Sequence, residues 1–419
     1  MNEVVDAGWL HLVDTWVRRP GVHVITPMEV VVQIASFAIV AVLSLAGSFA
    51  AAQEVRVYPA GPTPIYPVNP VRGYTDFVIH DIIVANTSGG PLTVRSVHVD
   101  ALRHRDDIAT VAIDRDDMLG PTQELVEMRT QGLNTIADLM LPPAALGAGN
   151  HPVAQLKLPP HGALVLGPVY VAVHGSPTSI RIRATLADAH GVTREVMTTV
   201  PAVGPAEPYA YAFPLRGAWF QRSVPNVTSH HRWNAQTEYA MDYFRLDSTG
   251  SPSRGTGDTA TDYYGFGEPV YAADSGTVVA VVNDAVQDYA THRHRAGESS
   301  DDYARRVSRA NMMAMATDPY RGTIGNYVTI AHANGQYSMY GHLKTGSVTV
   351  AKGSRVARGQ QIGQVGDTGD SPLAHLHFQI ADGPDPLRAR SIPFRFGDIP
   401  ADDPDLGQFV VGGSHTAPS

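Results

Sequence analysis

Ala374-His375-Leu376-His377-Phe378-Gln379-Ile380 is the stretch on which the reading of this chain turns. Two histidines one residue apart, followed by apolar–polar alternation, predict a β-strand. On a strand, residues i and i+2 point to the same face. His375 and His377 therefore aim into one space, about 6–7 Å apart at the backbone. That spacing suits one metal ligand beside one acid/base group. The pattern alone is weak, because the chain holds 18 histidines and repeats it at His292-Arg293-His294. That second copy lies in a charged, non-periodic stretch and reads as solvated loop. The surroundings of the first copy give it weight.

The 419 residues allow two or three domains, each with its own core. An apolar content of 43% with 17% charged residues is ordinary globular composition. The net charge is −9 and no basic stripe is visible, so nucleic acid is not an expected partner. Abundant glycine and proline, with many Val and Thr, predict a mainly β chain with frequent turns. The absence of cysteine excludes a thiol nucleophile, a zinc–thiolate site and disulfides.

Residues 1–27 form a leader in which Trp9, Leu10, Leu12, Val13, Trp16 and Val17 are spaced as on an amphipathic helix. From Met28 to Ala52 only Glu29 is ionisable. This run is long enough to begin crossing a bilayer, and Arg18 and Arg19 assign its N-terminal side to the cytoplasm. Ala50 and Ala52 fit the small-residue rule for cleavage. We expect 28–52 to be a signal peptide or membrane anchor helix, the chain's sole contact with a membrane. Everything after Ala52 is then exported: periplasmic, in the cell envelope or extracellular.

Residues 53–205 carry short strand patterns such as Asp76–Val84, Leu92–Val99 and Ser179–Ala184, separated by turn clusters such as 86–91. Strands at this spacing predict an immunoglobulin-like β-sandwich. Leu125, Met128, Leu133, Ile136, Leu139 and Met140 interrupt the pattern at mostly helical spacing, which predicts one or two inserted helices. The histidines here stand singly, without a partner at i+2 or i+4, so this domain is expected to bind or position rather than catalyse. A Pro/Gly-rich linker, 201–208, leads out of it.

The texture changes across 206–400. Glu238–Phe244 reads as a strand with Ala240, Asp242 and Phe244 on one face. An aspartate there is costly unless paired or bound to a cation. His230 and His231 lie upstream. Next come Gly267–Val281, read as a hairpin around Asp274-Ser275-Gly276, and then Tyr340-Gly341-His342-Leu343, Gly359–Gly363 and Thr368-Gly369. Glycines recurring between short strands predict a compact, curved antiparallel sheet. A charged insertion, about 283–321, carries a helix starting near Asp301 and Asp302. Residues 401–419 read as a flexible tail.

This ordered set resembles the lysostaphin-type (LytM-domain) zinc metallopeptidases, peptidoglycan endopeptidases with the duplicated hybrid motif fold. The resemblance covers about 209 to 395. It implies one Zn2+ per chain, held by the upstream histidine, Asp242 and His377. His342 and His375 would stay off the metal for acid/base and oxyanion work. Of the upstream pair His231 is favoured and His230 is the alternative, since neighbours on an extended chain face opposite ways. The chain departs from the family pattern in the longer gap before Asp242, in Ser371-Pro372-Leu373-Ala374, and in Gln379, where glutamate is frequent. Two imidazoles and a carboxylate leave one tetrahedral position for water, whose pKa zinc lowers to about 7.

The implied partner is peptidoglycan, through its peptide stems or cross-bridges. Two other classes compete. A catalytically silent LytM-like module that regulates other wall hydrolases would not need every ligand kept. A lipoyl-like carrier needs a lysine at a hairpin tip, and Lys157, Lys344 and Lys352 do not sit in such a setting.

Overall fold

The alternation around Asp242 and His377 is realised as neighbouring strands of one antiparallel sheet. The computed structural model describes residues 22–24, 55–61, 63–66, 73–203, 209–222, 229–255, 257, 259–287, 289–293, 295–399 and 408–412. The expected signal or anchor segment, 28–52, lies outside the described residues, as does the leader apart from 22–24 and the linker from 204 to 208. Among the described residues no helix is long and apolar enough to cross a membrane. The chain divides into two units. Of the described residues, one unit contains those from 22 to 127 and 143–203; the other contains Met128–Pro142 and those from 209 onward.

The first unit is built from sheets around one apolar core. One sheet runs in the order Thr193–Pro201, Ser179–Ala187, Leu92–Arg103 and Asp106–Ile113, with Lys157–Leu158 paired beside Leu92–Arg103. A second orders Val55–Pro59, Ile82–Asn86, Gly162–Leu166 and His151–Pro152. The third joins Val22–Val24, Val169–His174 and Tyr74–Ile79. Ser179–Ala187 shows the period of two that builds the core: Ile180, Ile182, Ala184 and Leu186 are fully buried. Each large one contributes about 1.5–3 kcal/mol by leaving water. Arg181 and Arg183 point the other way, and both donate to the buried Asp100 carboxylate at 2.9 Å. The expected helical break appears as Arg115–Thr130 and Asn134–Met140, the latter assigned to the other unit.

The second unit is organised on an eight-stranded antiparallel sheet. Its order is Arg355–Val356, Gly276–Val282, Asn326–His332, Tyr337–Leu343, Leu376–Ala381, Met241–Phe244, Gly217–Gln221 and Gln408–Gly412. The register sets Asp242 opposite His377 and His377 opposite Gly341, which puts three strands side by side at the site. A Cβ on Gly341 would lie 3.4 Å from that of His377 and 3.2 Å from Ile324 Cγ2, so glycine leaves the space that the histidine fills.

Two expectations are corrected here. Pro269–Tyr271 and Gly276–Val282 are strands, but not a hairpin: the first pairs with Gln361–Gln364 and the second with Asn326–His332. Gly276 lets this happen, since a Cβ there would lie 2.4 Å from the Ala331 carbonyl oxygen. Within the expected tail, Gln408–Gly412 is a strand that covers the edge presented by Gly217–Gln221.

The insertion folds as helices Tyr289–His292, Ser300–Thr317 and Pro319–Thr323. Ser299 Oγ caps the long helix by accepting from the Asp302 amide at 3.1 Å. The Asn134–Met140 helix packs against this long helix within the same unit.

Candidate metal centre

The six histidine and aspartate positions singled out in the sequence come together at one end of the sheet. Asp242 occupies the strand Met241–Phe244 and is 3% exposed. His377, opposite it, places Nδ1 3.1 Å from Asp242 Oδ1. His231 Nε2 lies 2.9 Å from the other carboxylate oxygen. Burial alone would raise the Asp242 pKa, but the imidazoles of His231 and His375 overrule it and hold the carboxyl well below the usual carboxylate range. The carboxylate is thus ionised and ringed by nitrogen donors.

His230 and His231 behave differently from the extended-chain expectation. They lie in the 3-10 turn His230–Trp233, with Ser229 Oγ accepting from the His231 amide. Successive residues of such a turn are about 120° apart rather than 180°, so both rings can turn toward Asp242. His230 Nε2 is 3.9 Å from Asp242 Oδ2, and the two rings are 3.9 Å apart. The side chain of His230 is 59% exposed, whereas that of His231 is 9% exposed. Among the described residues, His230, His231 and Asp242 form a group whose ligand atoms lie within 4.8 Å of one another.

His342 and His375 stand around the same space. Their ring centroids are 4.7 Å apart, and His342 is 5.8 Å from His377. His342 reaches this position through a bulge: the register against Asn326–His332 shifts between Asn326 and Val328, and His342 takes φ = +57°. Bulges re-aim side chains next to sites, and a non-glycine residue in this region is held there by its surroundings. His342 Nδ1 lies 2.8 Å from the Thr368 carbonyl oxygen. A carbonyl only accepts, so Nδ1 carries the proton and Nε2 keeps a free lone pair. His375 repeats the device, with Nδ1 2.9 Å from the Leu373 carbonyl oxygen and 3.1 Å from Ser371 Oγ. Its Nε2 is 3.6 Å from Asp242 Oδ1, too far for a hydrogen bond. The His375 ring stacks on Phe244 at 4.8 Å and 19°. Burial, with His375 and His377 nearby, drives the His342 pKa well below the ordinary histidine value, so this imidazole is neutral.

Loop 367–371 supplies much of this geometry, and the insertion grips it. Gly369 (φ +82°) sits so close to Gly325 that a Cβ would lie 2.5 Å from the Gly325 nitrogen. Tyr289 Oη donates to Asp367 at 2.9 Å, Asn311 Nδ2 to Asp370 at 2.6 Å, and Gln287 Nε2 to the Ser371 carbonyl at 3.0 Å. His292, set aside in the sequence as solvated loop, instead ends the helix Tyr289–His292, and burial pushes the Asp367 and Asp370 carboxyls up.

Sequence reasoning reached one supporting group and missed others. Phe244 was legible, since it shares the Asp242 face at i+2. The Thr368 and Leu373 carbonyls carry no side-chain signal at all. Gln379 was read as a departure outside the ligand set. It is fully buried against His377, with Oε1 3.0 Å from Nε2.

The donor set fits a metal ion: two buried imidazoles and one buried, ionised carboxylate converge, and a cation resolves the burial of that charge.

Residues 307–388 match the family described as Peptidase family M23. A 91-residue stretch is 42% identical to Peptidoglycan DD-endopeptidase ShyA of Vibrio cholerae, covering 21% of this chain and 20% of that one. A 72-residue stretch is 40% identical to DD-carboxypeptidase/endopeptidase Mpg of Neisseria meningitidis, covering 17% of this chain and 16% of that one. The chain thus spans about a fifth or less of the length of the curated relatives it matches. Among solved structures, the catalytic domain of lysostaphin from Staphylococcus simulans aligns with 19% identity and a TM-score of 0.22, over 44% of this chain and 88% of that one. A zinc containing peptidase from Vibrio cholerae aligns with 13% identity and a TM-score of 0.24, over 76% and 80%.

Proposed function

We propose, from the peptidase M23 domain that residues 307–388 carry, that this protein is a zinc-dependent endopeptidase acting on the peptides of bacterial cell-wall peptidoglycan. One observation carries the reading. Two imidazoles, His231 and His377, converge on the buried Asp242 carboxylate, while two more, His342 and His375, have Nδ1 occupied and Nε2 open. We read His231, Asp242 and His377 as the metal ligands. His230, more exposed and farther from the carboxylate, stands beside them. The name of one similar protein, a peptidoglycan DD-endopeptidase, supports the substrate class.

Zinc, when bound, lowers the pKa of water and polarises the scissile carbonyl. The chain supplies the rest. His375 and His342 enter the reaction as acceptors, because each has spent its Nδ1 proton on a carbonyl. One Nε2 takes the proton released by the attacking water, then returns it to the leaving amine. The protonated ring is also the donor that steadies the oxyanion. Phe244 keeps the His375 ring flat against an apolar face and restricts its rotation.

The remaining parts have supporting places in this reading. Residues 53–205 act as an immunoglobulin-like module that recruits or positions, and 28–52 exports the chain or anchors it. The insertion walls the site through Tyr289, Gln287 and Asn311. Tyr289→Phe with Asn311→Ala should then shift KM more than kcat, and unchanged values for both would remove the insertion from substrate binding.

Metal analysis with hydrolysis of purified peptidoglycan, before and after chelation, tests the function. About one zinc per chain is expected, with activity lost on chelation and restored by zinc. Bound zinc without hydrolysis of any wall peptide would favour the regulatory, catalytically silent module.

A further inference from the structure

Gln379 and the loop between the proposed ligands His231 and Asp242 form one device. Gln379 is fully buried on the strand Leu376–Ala381. Its amide touches two groups: one end lies 3.0 Å from His377 Nε2, and Nε2 lies 2.9 Å from the Gln236 carbonyl oxygen. The carbonyl can only accept, so the NH2 end of the amide must face it. The oxygen end then faces His377, which must donate from Nε2. A neutral imidazole protonated on Nε2 has its lone pair on Nδ1, and Nδ1 points at Asp242 Oδ1 from 3.1 Å. Two electron-rich atoms meet there, an arrangement that a cation between them satisfies.

Gln236 is itself fixed. Residues 232–240 fold back as turns, in which Thr237 N donates to Asn234 O and Ala240 N to Thr237 O. The fully buried Arg232 guanidinium pairs with Glu238. Ser391 ties the loop to the sheet from both sides, its amide donating to Ala235 O and its Oγ accepting from the Tyr239 amide.

We propose that Gln379 is a positioning residue that sets the His377 tautomer for metal binding, and that the long 232–240 loop is the reason this position is glutamine. Glutamate would accept equally well from His377 Nε2 but would turn its second oxygen onto the Gln236 carbonyl. Gln379 and the 232–240 loop are thereby coupled through the Gln236 carbonyl. This inference rests on reading His377 as a ligand, and its test does not use peptidase activity.

The full-length protein, labelled with 15N-histidine and freed of metal, should show His377 as the Nε2–H tautomer, assigned by loss of its signals in His377→Gln. The opposite tautomer would overturn the proposal. Zinc affinity, measured by competition with a chromophoric chelator, should fall about 10–100-fold in Gln379→Met, the range for an outer-shell partner. Unchanged affinity in a folded variant would equally overturn it. Gln379→Glu should melt below the wild-type protein when metal-free, and a melting temperature at or above wild type would separate the glutamine from the loop. A wild-type chain that binds no zinc would sink the metal reading instead, and the tautomer measurement would still stand.

Discussion

The site's imidazoles are held in two ways. His342 and His375 give Nδ1–H to the main-chain carbonyls of Thr368 and Leu373. His231 and His377 face side-chain groups instead, Asp242 and Gln379. A carbonyl tether survives any point substitution that preserves the loop path. A side-chain tether can be removed one group at a time. The difference separates the proposed chemistry: orientation of the acid/base pair is written into the backbone, whereas the metal-facing pair depends on individual neighbours.

The sharpest way to break this comparison is a pair of variants. Asp242→Ala should remove both metal and turnover, seen as zinc falling from about one per chain toward none. His375→Ala should keep its zinc while kcat falls about 10²–10⁴-fold, the usual contribution of a general acid/base group. Equal loss of metal in both would erase the division. The adjacent histidines sharpen it further. His231→Ala should lose most zinc, and His230→Ala should weaken binding no more than about 10–100-fold, as an outer neighbour does. The reverse order would exchange their roles.

A smaller effect follows from pH. Burial lowers the His342 and His231 pKa values below the ordinary histidine value. The folded state therefore resists protonation, so this part of its stability is complete above about pH 6.5, the unfolded value, and is lost as pH falls below it. Denaturant melts of the metal-free protein at stepped pH should show that decline, and a profile that rises on acidification would contradict it. The weakest effect is local. Glu298, hydrogen-bonded by Arg306, titrates at about 2. The pairing persists above about pH 4.3 and loosens as pH falls toward 2. Hydrogen exchange should then quicken in Ser300–Thr317 but not in Leu376–Ala381.

The sequence made strand faces more legible than turns and main-chain tethers. Period two placed Asp242 with Phe244 and His375 with His377, because a strand fixes side-chain direction by count. The same reasoning failed at His230 and His231, where the chain is a 3-10 turn rather than a strand. The Asp274 turn was seen, yet its two strands pair elsewhere, since local pattern does not specify a distant partner. Gln408–Gly412 looked like tail because its pairing with Gly217–Gln221 is non-local. The carbonyls that set His342 and His375 leave no mark in residue identity. The bulge at Gly341-His342 gave only the hint of a glycine before a histidine.

The buried Arg232–Glu238 pair has a consequence for the thermodynamics of ion uptake. It closes the loop between the proposed ligands through protein contacts alone. Ordering that loop is then part of folding and is not deferred to the moment of binding. Calorimetric titration with zinc should accordingly show a heat-capacity change near zero, in contrast to the large negative value that accompanies folding around an ion.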